Sequence, residues 1–141
     1  MVLSISTIRL GKGDCIHIKF LSDSVSCNII VDTGSTASAA EYRKLVNNII
    51  SSGESIDALL ITHYDDDHIG GALKVPNIPY KAVYFNAYIG SLDNQNLSAS
   101  QNQRLFHLLP DVVVHSLILA GDVIEIAGAK IIIHASTVVR E

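Results

Sequence analysis

The stretch Ile61-Thr-His-Tyr-Asp-Asp-Asp-His-Ile-Gly-Gly71 joins the end of an apolar run to a dense group of metal-binding side chains. Two histidines and three aspartates occupy the positions from His63 to His68. Like charges this close together repel one another unless a cation lies among them. A divalent metal ion is the simplest such cation, so the stretch predicts a metal site at the end of a buried strand.

The composition indicates one globular domain, residues 1–141. Hydrophobic residues make up 48% of the chain and charged residues 17%, which supports a core and argues against disorder. No apolar run approaches the roughly 18 residues of a membrane span, and no signal peptide is evident, so a cytoplasmic protein that is not in a membrane is expected. Cys15 and Cys27 have no metal-binding spacing. They are expected to be buried thiols, with a disulfide as the alternative.

The charge pattern bears on nucleic acid as a partner. The net charge is −4, and the lysines and arginines are scattered along the chain. The sequence therefore predicts no basic patch of the kind that binds nucleic acid by charge alone. An enzyme that handles nucleic acid through a bound cation stays open, because the metal offsets local negative charge.

Hydrophobic periodicity predicts an α/β fold. Alternation of polar and apolar residues predicts three strands in an antiparallel meander, at residues 2–9, 15–20 and 25–31. A helical period follows over residues 36–52, and the apolar run 56–61 predicts a strand that is covered on both faces. The metal-binding stretch comes at the carboxyl end of that strand, where open α/β sheets form their sites.

Further elements are predicted beyond this stretch. Gly70-Gly71 is expected to release a loop, with the backbone turning sharply under the ligands. A strand at 81–85 carries Asn86 at its exit, and a helix runs from Ser98 to about Leu109. Short strands are predicted at 112–115, 122–126 and 130–134, the last two as a hairpin across Ala127-Gly128.

The predicted metal ligands are His63, Asp65, Asp67 and His68. Zn²⁺ and Mn²⁺ bind imidazole nitrogen and carboxylate oxygen, and this set can supply up to two ions. His63 and Asp65 are assigned to one ion. Asp67 and His68 are assigned to the other, and Asp66 is expected to face solvent. Two ions about 3.5–4 Å apart hold the attacking and leaving oxygens of a displacement.

Two polar residues at strand ends have alternative roles. Asp32 either orients a ligand histidine from behind or caps a helix N-terminus. Asn86 either positions the substrate by a hydrogen bond or caps its own loop. The other histidines, His17, His107, His115 and His134, are not expected to be ligands.

The motif Thr62-His63-x-Asp65-x-Asp67-His68-x-Gly70-Gly71 resembles the first metal motif of the metallo-β-lactamase superfamily, usually written H-x-H-x-D-H. The runs Gly13-Asp14-Cys15-Ile16 and Val31-Asp32-Thr33-Gly34 are also similar to that family. Asp65 replaces the second histidine, as in the domain of the bacterial DNA-uptake competence protein and its soluble relatives. The resemblance implies an αββα sandwich. The chain would cover roughly its N-terminal half, an antiparallel meander plus helices on one face.

The resemblance also implies a function. It implies a metal-dependent hydrolase, phosphodiesterase or nuclease-like, in which Asp67 orients the nucleophile as well as binding metal. The family's remaining ligands come from a second half, and the first of them would fall near Val138, where no histidine occurs. A domain truncated at its C-terminus is therefore expected, as a homo-oligomer or with a complementing C-terminal half. The alternatives are a catalytically incomplete half-domain acting in assembly or binding, and a thiolester or lactone hydrolase.

Overall fold

The computed structural model describes residues 2–8, 11, 13–62, 65–86, 113–117 and 120–134. A six-stranded sheet lies at the centre of these residues. Its strands, in order across the sheet, are β1 (Val2–Thr7), β2 (Ile16–Ser22), β3 (Val25–Val31), β4 (Ala58–Ile61), β5 (Ala82–Asn86) and β6 (Val113–Leu117). A separate hairpin consists of β7 (Val123–Ile126) and β8 (Ala129–Ile132).

The directions of the strands divide the sheet into two parts. β1, β2 and β3 are antiparallel, which confirms the predicted meander. β3, β4, β5 and β6 are parallel. The predicted hairpin is also confirmed, since Ala127 and Gly128 have φ values of 48° and 85°, as a tight turn between paired strands requires. The helix predicted at 98–109 lies outside the described residues.

Two α-helices follow the ends of parallel strands. α1 (Ala39–Ser51) lies within the predicted segment 36–52, and a short 3-10 helix (Thr36–Ser38) precedes it. α2 (Asp66–Lys74) was not predicted. The expectation of a loop and a sharp turn at Gly70-Gly71 is wrong, because both glycines lie inside α2.

The glycines of α2 are explained by packing rather than by a turn. A Cβ atom on Gly70 would lie 2.2 Å from the backbone nitrogen of Thr36, and one on Gly71 would lie 2.1 Å from the carbonyl oxygen of Thr33. The loop after β3 therefore runs directly against α2, and only glycine leaves room for it. This contact between distant segments is invisible in the local sequence.

The sheet is covered on both faces. One face packs against α1 and α2, and its core comprises, among others, Ile30, Leu59, Ile61 and Val83 of the sheet with Tyr42, Val46, Ile49 and Ile69 of the helices. The other face packs against the β7–β8 hairpin, through Phe20, Cys27, Ile29 and Leu60 of the sheet with Ile126, Ala129 and Ile131 of the hairpin.

This arrangement gives three layers in the order helices, sheet, hairpin. The prediction of helices on one face is confirmed, and the layers correspond to the first three of an αββα sandwich. Strand β4 is buried on both faces, as its continuous apolar run predicts. Both cysteines are buried and free. None of the helices in the described ranges combines the length and the apolar character that crossing a membrane requires.

Candidate metal centre

Three parallel strands end at one edge of the sheet and gather the candidate site there. Asp32 follows β3, Thr62 follows β4, and Asn86 is the last residue of β5. The backbone of Asn86 thus lies at the predicted edge, and its side chain is not described. His63 lies outside the described residues, so its predicted role as a ligand stays a prediction.

Asp32 connects this edge to α2. Its backbone has a φ of 59°, a left-handed conformation that aspartate adopts more readily than most residues. Its Oδ1 accepts a hydrogen bond from the backbone N–H of Thr62 at 2.8 Å, and its Oδ2 accepts one from the Thr62 hydroxyl. Oδ2 also lies 2.9 Å from Nδ1 of His68. Because the carboxylate is committed to these partners, the geometry favours the orienting alternative over helix capping.

His68 lies between two carboxylates. A carboxylate accepts hydrogen bonds, so Nδ1 carries the proton that is donated to Asp32. The other ring nitrogen, Nε2, lies 3.7 Å from Oδ1 of Asp67. Burial lowers the pKa of His68, but the hydrogen bond and charge of Asp32, together with the charges of Asp67 and Asp14, outweigh burial. The pKa of His68 is therefore raised above its usual value.

The contacts of His68 meet the requirements of a metal ligand. A ligating histidine usually donates its second N–H to a carboxylate, which fixes the tautomer and aims the free lone pair at the metal. Asp32 does this for His68, and Nε2 is left facing Asp67. Donor atoms 3.7 Å apart can both reach one ion at about 2.0–2.2 Å. The spacing of Asp67 and His68 is therefore compatible with two of the ligands of one divalent cation.

The remaining predicted ligands are less closely defined. In the described ranges, which leave out His63, no three His, Cys, Asp or Glu side chains are grouped as they would be around a metal. Asp65 is exposed and lies at the N-cap of α2, where its carbonyl accepts the backbone N–H of His68 at 2.9 Å. The carboxylate of Asp66 is exposed and lies 3.3 Å from the hydroxyl and backbone nitrogen of Thr36. The two-ion arrangement stays a prediction.

Two further residues, Thr33 and Asp14, hold the first turn of α2, and no role was predicted for either of them. The backbone N–H of Thr33 donates to the carbonyl of His68 at 2.7 Å, and that of Asp14 donates to the carbonyl of Asp67 at 3.1 Å. A Cβ atom on Gly13 would lie 2.3 Å from the same Asp67 carbonyl. The available signals were the Gly13-Asp14 run shortly before β2 and the Asp32-Thr33-Gly34 run directly after β3.

Comparison with known proteins identifies the family of this chain. The sequence profile of the metallo-beta-lactamase superfamily matches residues 20–138. A solved structure, the MIM-2 metallo-beta-lactamase, is 20% identical with a TM-score of 0.54, and the match covers 92% of this chain and 48% of that one. Another, MEM-A1, a subclass B3 metallo-beta-lactamase isolated from a soil metagenome library, is 18% identical with a TM-score of 0.50, over 87% of this chain and 45% of that one.

These structural matches define the fold, and each covers only part of the solved structure. The chain corresponds to about half the length of the two solved structures. A search of curated proteins found no significant match. Because the family profile covers most of the chain and the layers agree with the solved structures, the protein belongs to the metallo-β-lactamase superfamily.

Proposed function

We propose that the protein carries the first metal motif of a metal-dependent hydrolase that cleaves a phosphodiester. The ions would be Zn²⁺ or Mn²⁺, up to two of them, bound by His63, Asp65, Asp67 and His68. The observation that carries the proposal is the row of three side chains at the sheet edge. Asp32 lies 2.9 Å from one nitrogen of the His68 ring, and Asp67 lies 3.7 Å from the other.

The residues of this row would have separate tasks. Asp32 is almost fully buried and keeps the proton on Nδ1, so Nε2 is the nitrogen that would bind the ion. Asp67 is half exposed, so its carboxylate can bind an ion and also orient a water molecule. A bound ion would polarise a phosphoryl oxygen and acidify water.

The choice of a phosphodiester has two supports. The motif has Asp65 where the family usually has histidine, a variant similar to relatives that are associated with nuclease or phosphodiesterase chemistry. Asp65 also adds a second carboxylate to the four predicted ligands, and this harder oxygen ligand suits ions such as Mn²⁺ that accompany phosphate chemistry. A thiolester or lactone hydrolase remains the alternative substrate class, because the same motif serves these reactions.

The test is hydrolysis of bis-p-nitrophenyl phosphate with added Zn²⁺ or Mn²⁺. Asp67→Asn and His63→Ala should each abolish turnover, because each removes a predicted ligand. Asp66→Asn is the matched control, since Asp66 is a neighbouring exposed aspartate that faces Thr36. Turnover that is indifferent to Asp67→Asn and His63→Ala would refute the proposal. Hydrolysis of a thiolester or lactone, without hydrolysis of the phosphodiester, would select the alternative.

We propose a cytoplasmic location for this activity. The support is that Cys15 and Cys27 are both buried and unpaired. Burial raises the pKa of each thiol to about 12, so both are kept in the unreactive protonated form. Proteins of oxidising compartments more often pair their cysteines. Fractionation of the native cell, followed by detection with an antibody, would test the location.

A second candidate function is an assembly module whose apolar surface binds another polypeptide. Leu3 and Ile5 of the edge strand β1 are 60% and 64% exposed. They lie opposite Phe20 and Ile18, which belong to the core beneath the hairpin. The core face of the sheet therefore continues uncovered to its edge, where it could receive a complementing C-terminal half.

The isolated chain offers a direct test of this surface. In the absence of another partner, the exposed face would be covered by a second copy, so we expect a dimer whose fraction rises with concentration in analytical ultracentrifugation. Leu3→Lys with Ile5→Lys should abolish the dimer. Ser4→Lys is the matched control, because Ser4 lies on the same strand and points to the opposite face. A monomer at all concentrations would argue against self-association through β1.

A further inference from the structure

The side chain of Thr33 is inserted into the hydrogen-bond ladder of α2. Its hydroxyl donates to the carbonyl of His68 at 3.0 Å and accepts the backbone N–H of Ala72, also at 3.0 Å. These two backbone groups are four residues apart and are the pair that an α-helix joins directly. Thr33 is fully buried, so water does not compete for either contact.

Backbone groups of Thr33 and Gly34 add two further hydrogen bonds between the loop and α2. The N–H of Thr33 donates to the same His68 carbonyl at 2.7 Å, and the carbonyl of Gly34 accepts the N–H of Gly71 at 3.1 Å. Gly71 has no Cβ atom, which is what lets the loop come so close. The loop therefore contacts α2 through fixed polar groups rather than through apolar packing that could slide.

Adjacent residues of this loop hold His68 at two points. Asp32 contacts the imidazole ring at Nδ1, and Thr33 contacts the backbone carbonyl of the same residue. A shift of α2 along its axis would move the carbonyl away from Thr33 and the ring away from Asp32 together. The position of His68 relative to Asp32 thus depends on the contact that the Thr33 hydroxyl makes.

We propose that Thr33 is a positioning residue for the metal centre. Its hydroxyl fixes the position of α2 relative to the loop after β3, and in this position the His68 ring contacts Asp32. The inference rests on the proposed metal site, but the placement of His68 can be measured without metal. Thr33 itself would touch neither the ion nor the substrate. Its effect would pass through the His68 ring, which distinguishes it from a residue that only stabilises the fold.

The test compares Thr33→Val, which keeps the shape and removes the hydroxyl, with Thr33→Ser, which keeps the hydroxyl. In the metal-free protein, the Nδ1 proton and ring nitrogens of His68 are observed by NMR. We expect Thr33→Val to lose the downfield Nδ1 proton and Thr33→Ser to retain it. Binding of Co²⁺, followed by its visible absorption, should weaken by about 10-fold or more in Thr33→Val only.

Controls separate positioning from stability. Ile49→Val on α1 removes a methylene from the core away from the site, and it should lower stability without changing the His68 signals or Co²⁺ affinity. If Thr33→Val does not fold, the wild-type protein still decides the matter, since an inserted hydroxyl proton must exchange slowly with water. Rapid exchange of that proton would overturn the inference.

Other outcomes are equally decisive. Wild-type His68 signals and Co²⁺ affinity in Thr33→Val would overturn the inference, and so would a loss in Thr33→Ser as large as that in Thr33→Val. A wild-type protein that binds no Co²⁺, but whose His68 signals still depend on the Thr33 hydroxyl, would refute the proposed metal site and uphold the placement of His68.

Discussion

Substitution of Gly71 by alanine should destabilise the protein, although the same change stabilises most helices. At an ordinary helix position, alanine is favoured over glycine by about 1 kcal/mol. In α2, the new Cβ atom would lie 2.1 Å from the Thr33 carbonyl oxygen and 2.9 Å from two ring atoms of Tyr42. Ordinary contacts of this kind begin near 3.4 Å, so the loop and the helix must separate by more than 1 Å.

The size of the effect follows from the contacts that this separation breaks. Four hydrogen bonds join residues 33–34 of the loop to the backbone of α2. Thr33 donates to the His68 carbonyl through both its N–H and its hydroxyl, Ala72 N–H donates to the Thr33 hydroxyl, and Gly71 N–H donates to the Gly34 carbonyl. Each contributes about 1 kcal/mol to stability. Their loss, offset by the helix preference of alanine, leaves a net destabilisation of about 3 kcal/mol.

The assay is urea unfolding followed by circular dichroism. Asn47→Ala is the matched control, because Asn47 is an exposed position of α1 where the better helix former should raise stability by about 0.5 kcal/mol. We expect a lower urea midpoint for Gly71→Ala and a slightly higher one for the control. A Gly71→Ala protein as stable as wild type, or more stable, would refute the close packing of the loop on α2.

Three other predictions concern charged and buried groups. Asp32→Asn removes the charge that raises the pKa of His68, so that pKa should fall in an NMR titration, and an unchanged value would contradict the contact. Cys15 and Cys27, whose pKa burial raises to about 12, should resist iodoacetamide at pH 8 in the folded protein and react only in urea. Hydrogen bonds from Lys19 and Ser26 lower the pKa of Glu54 to about 2. The ionised Glu54 therefore stabilises the folded protein fully above pH 4.5, and this contribution is lost as the pH falls toward 2. Glu54→Gln should remove that part of the acid dependence.

Elements with a regular pattern were predictable because their pattern reports burial directly. The alternation in β2, with Ile18 and Phe20 on one face, requires a strand with that face on the core. The apolar run of β4 similarly requires cover on both faces. The hairpin at Ala127-Gly128 was predictable from its turn residue, since glycine tolerates the positive φ that the turn needs.

The residues of the candidate site were predicted from the sequence, but the helix that carries Asp67 and His68 was not. Gly70-Gly71 suggested a loop with a sharp turn under the ligands, whereas Asp65, Asp66 and Asp67 form the N-cap and first turn of α2. Negative side chains are stabilised there by the helix dipole. The glycines were misleading because glycine in a sequence signals a turn as readily as a close contact. Only the position of the loop after β3 shows which of the two applies.

The sequence by itself determined the family, the order of strands and helices along most of the described chain, and the group of side chains that could bind metal. These follow from local spacing and from the chemistry of each side chain. The tertiary structure decided what holds that group in place. Asp32 and Thr33 reach His68 from 36 and 35 residues away. Such contacts exist only once parallel strands bring their ends to one edge, because hydrogen bonds depend on distances in space that no local pattern specifies.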